Sequence, residues 1–393
     1  MKKLLLQTLS VVSVSIGLSL VSCSDDYQEL VQNDSPPVRR TQSHKLTLRQ
    51  AMDRSVGILS ESKSVPTRSV DNIKSVDYIT SPLKTRASTP DTLFYLVNFE
   101  NEEGFLLMTT DDRLLPVYAF SDTGCLNLAD TVYNEPLRNY MNGVTHDVSW
   151  QMSKPRNWNP PFPHVTIDEF EKDKSITPKL SVFQSRIGQG SPYNACCPII
   201  LGKRTVAGCA PVAFEMLMSY HRYPRSYKED TFDWETMNEG SNTDAIARLL
   251  AHLGAKENLN TNYGQISLTN IKNYYLQTFK NFGYNEPLCD EFSTERADRA
   301  LYSGPIIVWG SGHAWVIDGL RRLVSPPFEE GGERLYWRYF HCVWGWDGNS
   351  NGFYYVGGNK TDAEDYYYWD YDLKTGNSPQ HTISSMIYDI SYD

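Results

Sequence analysis

Two residues able to do covalent chemistry stand in unusual settings. Cys209 follows Gly208 and opens a run in which Ala213, Met216, Leu217 and Tyr220 recur at i, i+3, i+4 and i+7, the spacing of one buried helix face. Pro211 is tolerated only in a first turn and Pro224 ends the run, so the predicted helix begins at Cys209. The unpaired amides and dipole at that end favour the thiolate, the reactive form of a thiol whose ordinary pKa is about 8.5. Position alone also fits a small cysteine packed under a helix end. His313 is the second residue. It follows an apolar strand at 305–309 and the link Gly310-Ser311-Gly312, and opens another strand over 314–317. A glycine directly before it leaves backbone room for a substrate chain. A third segment, Trp344-Gly345-Trp346-Asp347-Gly348, closes a strand over 335–343. Indoles set between glycines suit a wall that keeps water from an ion pair.

The elements around these segments predict an α+β chain in two parts. Residues 24–87 are polar and contain Pro36-Pro37; only 45–58, with Leu46, Leu48, Ala51 and Val56, has roughly helical spacing. They predict a tether, a short helix and a further loop. Short apolar or alternating runs at 93–99, 105–109 and 116–120 predict strands, with a hairpin loop at 101–104 and a helix near 136–141. A linker at 155–163 carries Asn157, Asn159 and four prolines, and a charge run follows at 169–174. Proline there rules out a continuing helix. The boundary is expected between Lys172 and Pro178. This gives a signal over 1–22, a tether and start of the first part over 23–90, a small β-rich α+β unit over 91–174, and a larger domain over 175–393. Without its first 22 residues the chain still has about 370, more than a single core usually serves.

The N-terminus points to export. Lys2 and Lys3 precede an apolar run to Val21 that Gln7, Thr8 and several serines interrupt, the layout of a secretory signal rather than a span. Leu20-Val21-Ser22-Cys23 resembles a lipobox, so Cys23 is expected to be acylated and to hold the protein at an outer-membrane or cell-surface location by a lipid alone. Ser24-Asp25-Asp26 resembles a surface-sorting signal. A net charge of −10 argues against nucleic acid as a partner, because phosphate binding needs a basic face. The seven cysteines follow no CxxC spacing, so no zinc site or disulfide framework is indicated and no cofactor is expected. The pair Cys196-Cys197, followed by Pro198 with no helix start, reads as structural, as does His341. The aromatic run 365–370 reads as strand packing, and the stretch 325–332 as an insertion near the cleft.

Taken together, the segments resemble the streptopain and interpain family of cysteine peptidases, from about residue 178 to 392. The carriers are Gly188-Gln189-Gly190-Ser191-Pro192-Tyr193-Asn194, Gly208-Cys209 with its helix to Tyr223-Pro224, Gly312-His313-Ala314-Trp315-Val316-Ile317-Asp318-Gly319, and Trp344-Gly345-Trp346. Residues 94–99 and 104–122, including Thr110-Asp111-Asp112-Arg113, resemble the propeptide of that family. The resemblance implies a papain-like catalytic fold, protein or peptide substrates, and a propeptide acting as intramolecular inhibitor until removed. It implies Cys209 as nucleophile, His313 as general base, and Gln189 with the Cys209 amide as oxyanion hole. It further implies Trp344 packed on the imidazole, and Gly312, Ala314 and Gly208 lining the cleft.

Three departures qualify it. Ile187 stands where Trp is usual; 210–215 replaces a run of small residues with a Gln and ends in Glu215; and Val343 stands where an Asn usually helps orient the histidine. Valine offers no acceptor, and Asp318, five residues along one strand from His313, faces away from it. The third partner of the histidine is therefore absent or a backbone carbonyl. The leading reading is a lipoprotein precursor of a cysteine endopeptidase working through a Cys–His dyad. The alternative is a catalytically impaired surface binding or inhibitory protein on the same scaffold, and acyl transfer by the same pair is also open.

Overall fold

In the computed structural model the described residues are 44–59, 70–81, 91–155, 171–172, 175–310, 312–324, 336–358 and 383–392. The signal, Cys23, most of the 155–163 linker, and the stretches 325–332 and 365–370 lie outside them. No helix among the described residues is long and apolar enough to cross a membrane.

The first unit is four antiparallel strands and two helices. Strands β1 (Ile73–Thr80), β2 (Thr92–Phe99), β3 (Phe105–Thr109) and β4 (Val117–Ser121) pair in sequence order, and helices α1 (Leu48–Leu59) and α2 (Glu135–Met152) belong with them. Three strands match the apolar runs closely. The β2–β3 turn needs positive φ at Asn101, Glu102 and Gly104, and a Cβ on Gly104 would sit 1.9 Å from the Ser121 carbonyl oxygen. Strand β1 replaces the loop expected there. It is a half-exposed edge strand whose Lys74 and Asp77 interrupt the alternation that marks a buried strand and protect the open edge. Helix α2 is 18 residues long where a short helix near 136–141 was expected. Asn134 caps it by accepting from the Leu137 amide, and the polar Arg138, Asn139, His146 and Asp147 obscure its apolar face in the sequence.

The second unit has a helical part and a strand part. The helices are α3 (Cys209–His221), α4 (Trp234–Glu239), α5 (Thr243–Gly254), α6 (Ile271–Asn281) and α7 (Thr294–Ser303). Short strands β5 (Glu171–Lys172), β6 (Ile199–Ile200), β7 (Lys203–Arg204), β8 (Ser226–Tyr227) and β9 (Asp230–Thr231) precede the main set. That set is β10 (Leu288–Asp290), β11 (Ile306–Gly310), β12 (His313–Val324), β13 (Tyr336–Val343), β14 (Gly352–Gly358) and β15 (Ile383–Tyr388). Its order is β14-β13-β12-β11-β15-β10, and every pairing is antiparallel. The α+β expectation holds.

One sheet runs through both units, because β4 pairs with β14 through Phe353 opposite Phe120 and Tyr354 opposite Ala119. The side chains follow. Phe120 stacks on Phe353 with centroids 5.0 Å apart, and Tyr140 meets Tyr354 edge-on at 5.0 Å. The Tyr339 hydroxyl donates to the Val117 carbonyl at 2.8 Å. The first unit and the outer face of the second thus share one apolar core, and a separate core lies between the helices and the inner face. The boundary expected between Lys172 and Pro178 lies along backbone paired with β12, through β5 and the Ile176–Leu320 bridge. Phe120→Ala is expected to lower unfolding free energy by about 3–5 kcal/mol in one cooperative transition. Chemical denaturation followed by fluorescence and far-UV circular dichroism checks this; two transitions, with only the first moved, would refute a shared core.

Candidate active site

Helix α3 begins at Cys209 as the sequence predicts. Its N-cap Gly208 has φ 96°, a conformation side chains resist, and a Cβ there would press on Ser267 at 3.3 Å. Ser267 holds this approach by donating to the Val206 carbonyl at 2.7 Å. Gln189 reaches the same place although twenty residues separate it from Cys209. Its carbonyl accepts the Ala207 amide at 2.9 Å, which closes the intervening loop, and the residue is largely buried. The backbone amides of Ala314, Ala210 and Cys209 itself pull the Cys209 thiol pKa down. Loss of water around the sulfur outweighs them, so the thiol pKa is raised rather than lowered. The helix terminus therefore moderates burial instead of producing a resting thiolate.

His313 begins β12 directly after Gly312, whose φ is 74°; Ser311 lies outside the described residues. The next residue, Ala314, lies in the apolar cluster against which Cys209 packs. The ring Nε2 lies 2.8 Å from the Trp344 carbonyl oxygen. A carbonyl only accepts, so Nε2 carries the hydrogen and Nδ1 the lone pair. Burial pushes the imidazole down to about 4, against a smaller upward pull from that carbonyl. Cysteine and histidine therefore rest as thiol and neutral imidazole at neutral pH.

Trp344 does not stack on the imidazole as expected. Its indole is wholly buried, donates to the Ser350 carbonyl at 2.9 Å, and meets Tyr354 edge-on. Two rings lie parallel to His313, Trp346 at 5.8 Å and 13° and Trp315 at 6.4 Å and 9°; the Trp-Gly-Trp spacing marked the segment without distinguishing its two indoles. Val343 is buried in the helix-side core and pairs with Val316. The partner that Val343 cannot be is the backbone carbonyl of the next residue. Asn351, which the sequence did not single out, fixes that carbonyl by accepting the Trp344 amide at 3.0 Å and donating to the Ser185 carbonyl at 2.6 Å.

Neighbouring polar groups are otherwise engaged. Asp318 accepts from His341 at 2.6 Å and from the Lys179 and Leu180 amides at 3.0 Å, so it turns from His313 as expected. Cys196 is exposed and Cys197 buried, the latter pushed up to about 11 chiefly by burial, which suits packing and not attack. The six cysteines among the described residues are unpaired. One described group has the spacing of metal ligands, His44, Asp111 and Asp112, but Arg113 takes both oxygens of Asp111 at 2.9 and 2.7 Å.

Comparison with known proteins decides what this geometry belongs to. Residues 187–354 match the Peptidase C10 family. The chain is a cysteine-type peptidase similar to streptopain and interpain. Streptopain of Streptococcus pyogenes is 22% identical over 376 residues, covering 81% of this chain and 86% of that protein. The thiol protease/hemagglutinin PrtT of Porphyromonas gingivalis is 22% identical over 317 residues, covering 69% of this chain and 34% of its own length. In fold, a Prevotella intermedia prointerpain A fragment superposes with a TM-score of 0.50 at 18% identity, over 81% of this chain and 99% of that one.

Glu215, one of the departures, acquires a physical reading. It is fully buried on α3 and both its oxygens lack a hydrogen-bond partner, as does the Gln184 Oε1. Gln184 spends its amide on the Met237 carbonyl. Burial pushes the Glu215 carboxyl up to about 8, against a smaller downward pull from Gln184, so at neutral pH it is an acid able to donate to Gln184. Its folded pKa exceeds the unfolded one, so the stability it confers is complete below about pH 4.5 and lost as pH rises to about 8. Glu215→Gln should accordingly match the parent near pH 4.5 and exceed it by on the order of a few kcal/mol at pH 8–9. Unfolding titrations at those two pH values check this; a variant less stable than the parent at pH 9 would refute it.

Proposed function

We propose that this protein is an exported endopeptidase in which Cys209 attacks the scissile carbonyl and His313 moves the protons. The observation that carries the reading is the His313 Nε2 bond to the Trp344 carbonyl, which leaves the lone pair on Nδ1. With Nε2 held, the Nδ1 lone pair accepts the thiol proton as sulfur bonds to the carbonyl carbon. The imidazolium so formed keeps its bond to Trp344, and Nδ1 then delivers the proton to the leaving amine. Water, deprotonated by the same nitrogen, cleaves the thioester and returns the thiol.

Charge gathers on the carbonyl oxygen as the carbon becomes tetrahedral. The Gln189 side-chain amide and the Cys209 backbone amide are the donors assigned to it, and in a site with little water each is worth about 3 kcal/mol of barrier. Gly312 and Ala314 leave backbone free to pair with an extended peptide. Trp346 shields the ion pair while it exists.

The precursor is read as a lipoprotein zymogen. The signal over 1–22 delivers it to the envelope, acylated Cys23 anchors it, and the first unit restrains the enzyme until the chain is cut in or beside the linker. Glu135, at the start of α2, comes close to Gly312, its Oε2 lying 3.5 Å from where a Cβ on that glycine would be.

A broad cysteine-peptidase epoxide such as E-64 should label Cys209 in the processed protein and stop peptide cleavage. His313→Ala should lower kcat by roughly a thousandfold or more, and Cys209→Ala should remove activity and labelling together. Cleavage that persists in Cys209→Ala would overturn the assignment.

A further inference from the structure

The hairpin of β6 and β7 stands apart from both cores. It is a two-stranded sheet of its own, in which Ile199 pairs with Arg204 and Ile200 with Lys203. Residues opposite each other share a face of a hairpin and successive residues alternate, so one face carries Ile199 and the other Ile200. Neither face is covered. Ile199 is 60% and Ile200 44% exposed, and Leu201 at the tip is 98% exposed. Among the described residues no other three consecutive large apolar side chains stand in water.

The turn is costly as well as exposed. Leu201 and Gly202 have φ of 52° and 75°, and a two-residue turn with both central residues left-handed ordinarily begins with Asn, Asp or Gly. A leucine there strains the backbone and gains no packing in exchange, so folding does not account for it. The hairpin is nonetheless firmly mounted. Thr205 donates its amide and its hydroxyl to the Pro198 carbonyl, both at 3.0 Å. Arg204 donates to the Cys197 carbonyl at 2.7 Å, and Asn194 to the Thr205 carbonyl at 2.9 Å.

Its charge has one sign. In a chain of net charge −10, no Asp or Glu occurs from residue 174 to 214, whereas Lys174, Lys179, Arg186, Lys203 and Arg204 do. Lys203 and Arg204 are exposed and sit directly behind the apolar tip. A protein partner would cover one face of such a hairpin; an apolar medium covers both faces and the tip together. From Pro198 to Leu201 the strand spans about 10 Å, which matches the roughly 5–10 Å to which apolar side chains enter the boundary of headgroups and acyl chains. At that depth Lys203 and Arg204 lie level with the lipid phosphates, to which their long side chains can reach.

We propose that the hairpin over residues 199–204 is a membrane-contact site that inserts Leu201, with Ile199 and Ile200, into an anionic lipid surface. It adds a reversible protein contact to the anchor expected at acylated Cys23, and it stands whether or not the chain cleaves peptides. The Asn194 bond to Thr205 and the Ala207 bond to Gln189 tie the hairpin to the loop that carries Gln189, so the contact holds that end of the domain at the bilayer.

The test uses the full chain from residue 23 onward with Cys23→Ser, so that no acyl group contributes. It is floated with vesicles of phosphatidylcholine alone or of phosphatidylcholine mixed with phosphatidylglycerol. The parent should bind the mixed vesicles at low salt and leave them as salt rises. Leu201→Asn should lower the partition coefficient roughly tenfold or more with an equal or higher thermal midpoint, because Asn suits the turn. Lys203→Glu should lower binding to mixed vesicles about fivefold or more and binding to neutral ones much less. A parent that stays soluble beside mixed vesicles would overturn the proposal, as would Leu201→Asn that binds like the parent. So would a parent that ignores vesicles and elutes as a dimer split by Leu201→Asn, which would assign the hairpin to a second copy of the chain.

Discussion

A single hydrogen bond, from His313 Nε2 to the Trp344 carbonyl, fixes what the rest of the site can do. It selects the tautomer with the lone pair on Nδ1 and sets the plane of the ring. A backbone acceptor cannot rotate away as a side chain can, but it is only as well placed as the loop carrying it. Hence the demands on residues 344–351: an amide bond to Asn351 and an indole bond to the Ser350 carbonyl. The placement of His313 is here distributed over the loop that carries its acceptor.

Electrostatics in this resting state oppose an ion pair. Burial raises the Cys209 thiol and lowers the His313 imidazole, so charge separation must be brought about as substrate enters. The amides at the start of α3 and the parallel Trp346 ring are already in place to receive it. Glu135 of the first unit lies close to Gly312. Glu215 belongs to the same logic, since a neutral acid is the form of that side chain that a buried helix face can accept.

Much of this was legible in the sequence. The periodicity from Ala213 to Tyr220 with Pro211 and Pro224 placed Cys209 at a helix start, and the glycines around His313 placed it at a strand start. Strands β2, β3 and β4 followed from short apolar runs. Edge strand β1 and the length of α2 did not, because partial exposure there leaves charges inside the repeating pattern. The role of Trp344 was half legible: absence of an acceptor at Val343 pointed to a backbone carbonyl, yet spacing could not say which indole would face the imidazole. The shared sheet was invisible, since pairing of Phe120 with Phe353 joins residues more than two hundred positions apart and no local signal records it.

The most direct test of the central bond is the tautomer and titration of His313, read by nitrogen-15 NMR on the full chain with labelled histidine. The geometry predicts a protonated Nε2, an unprotonated Nδ1, and a ring that stays neutral until the pH approaches about 4. A ring with its hydrogen on Nδ1, or one that titrates at the ordinary value of about 6.5, would contradict it.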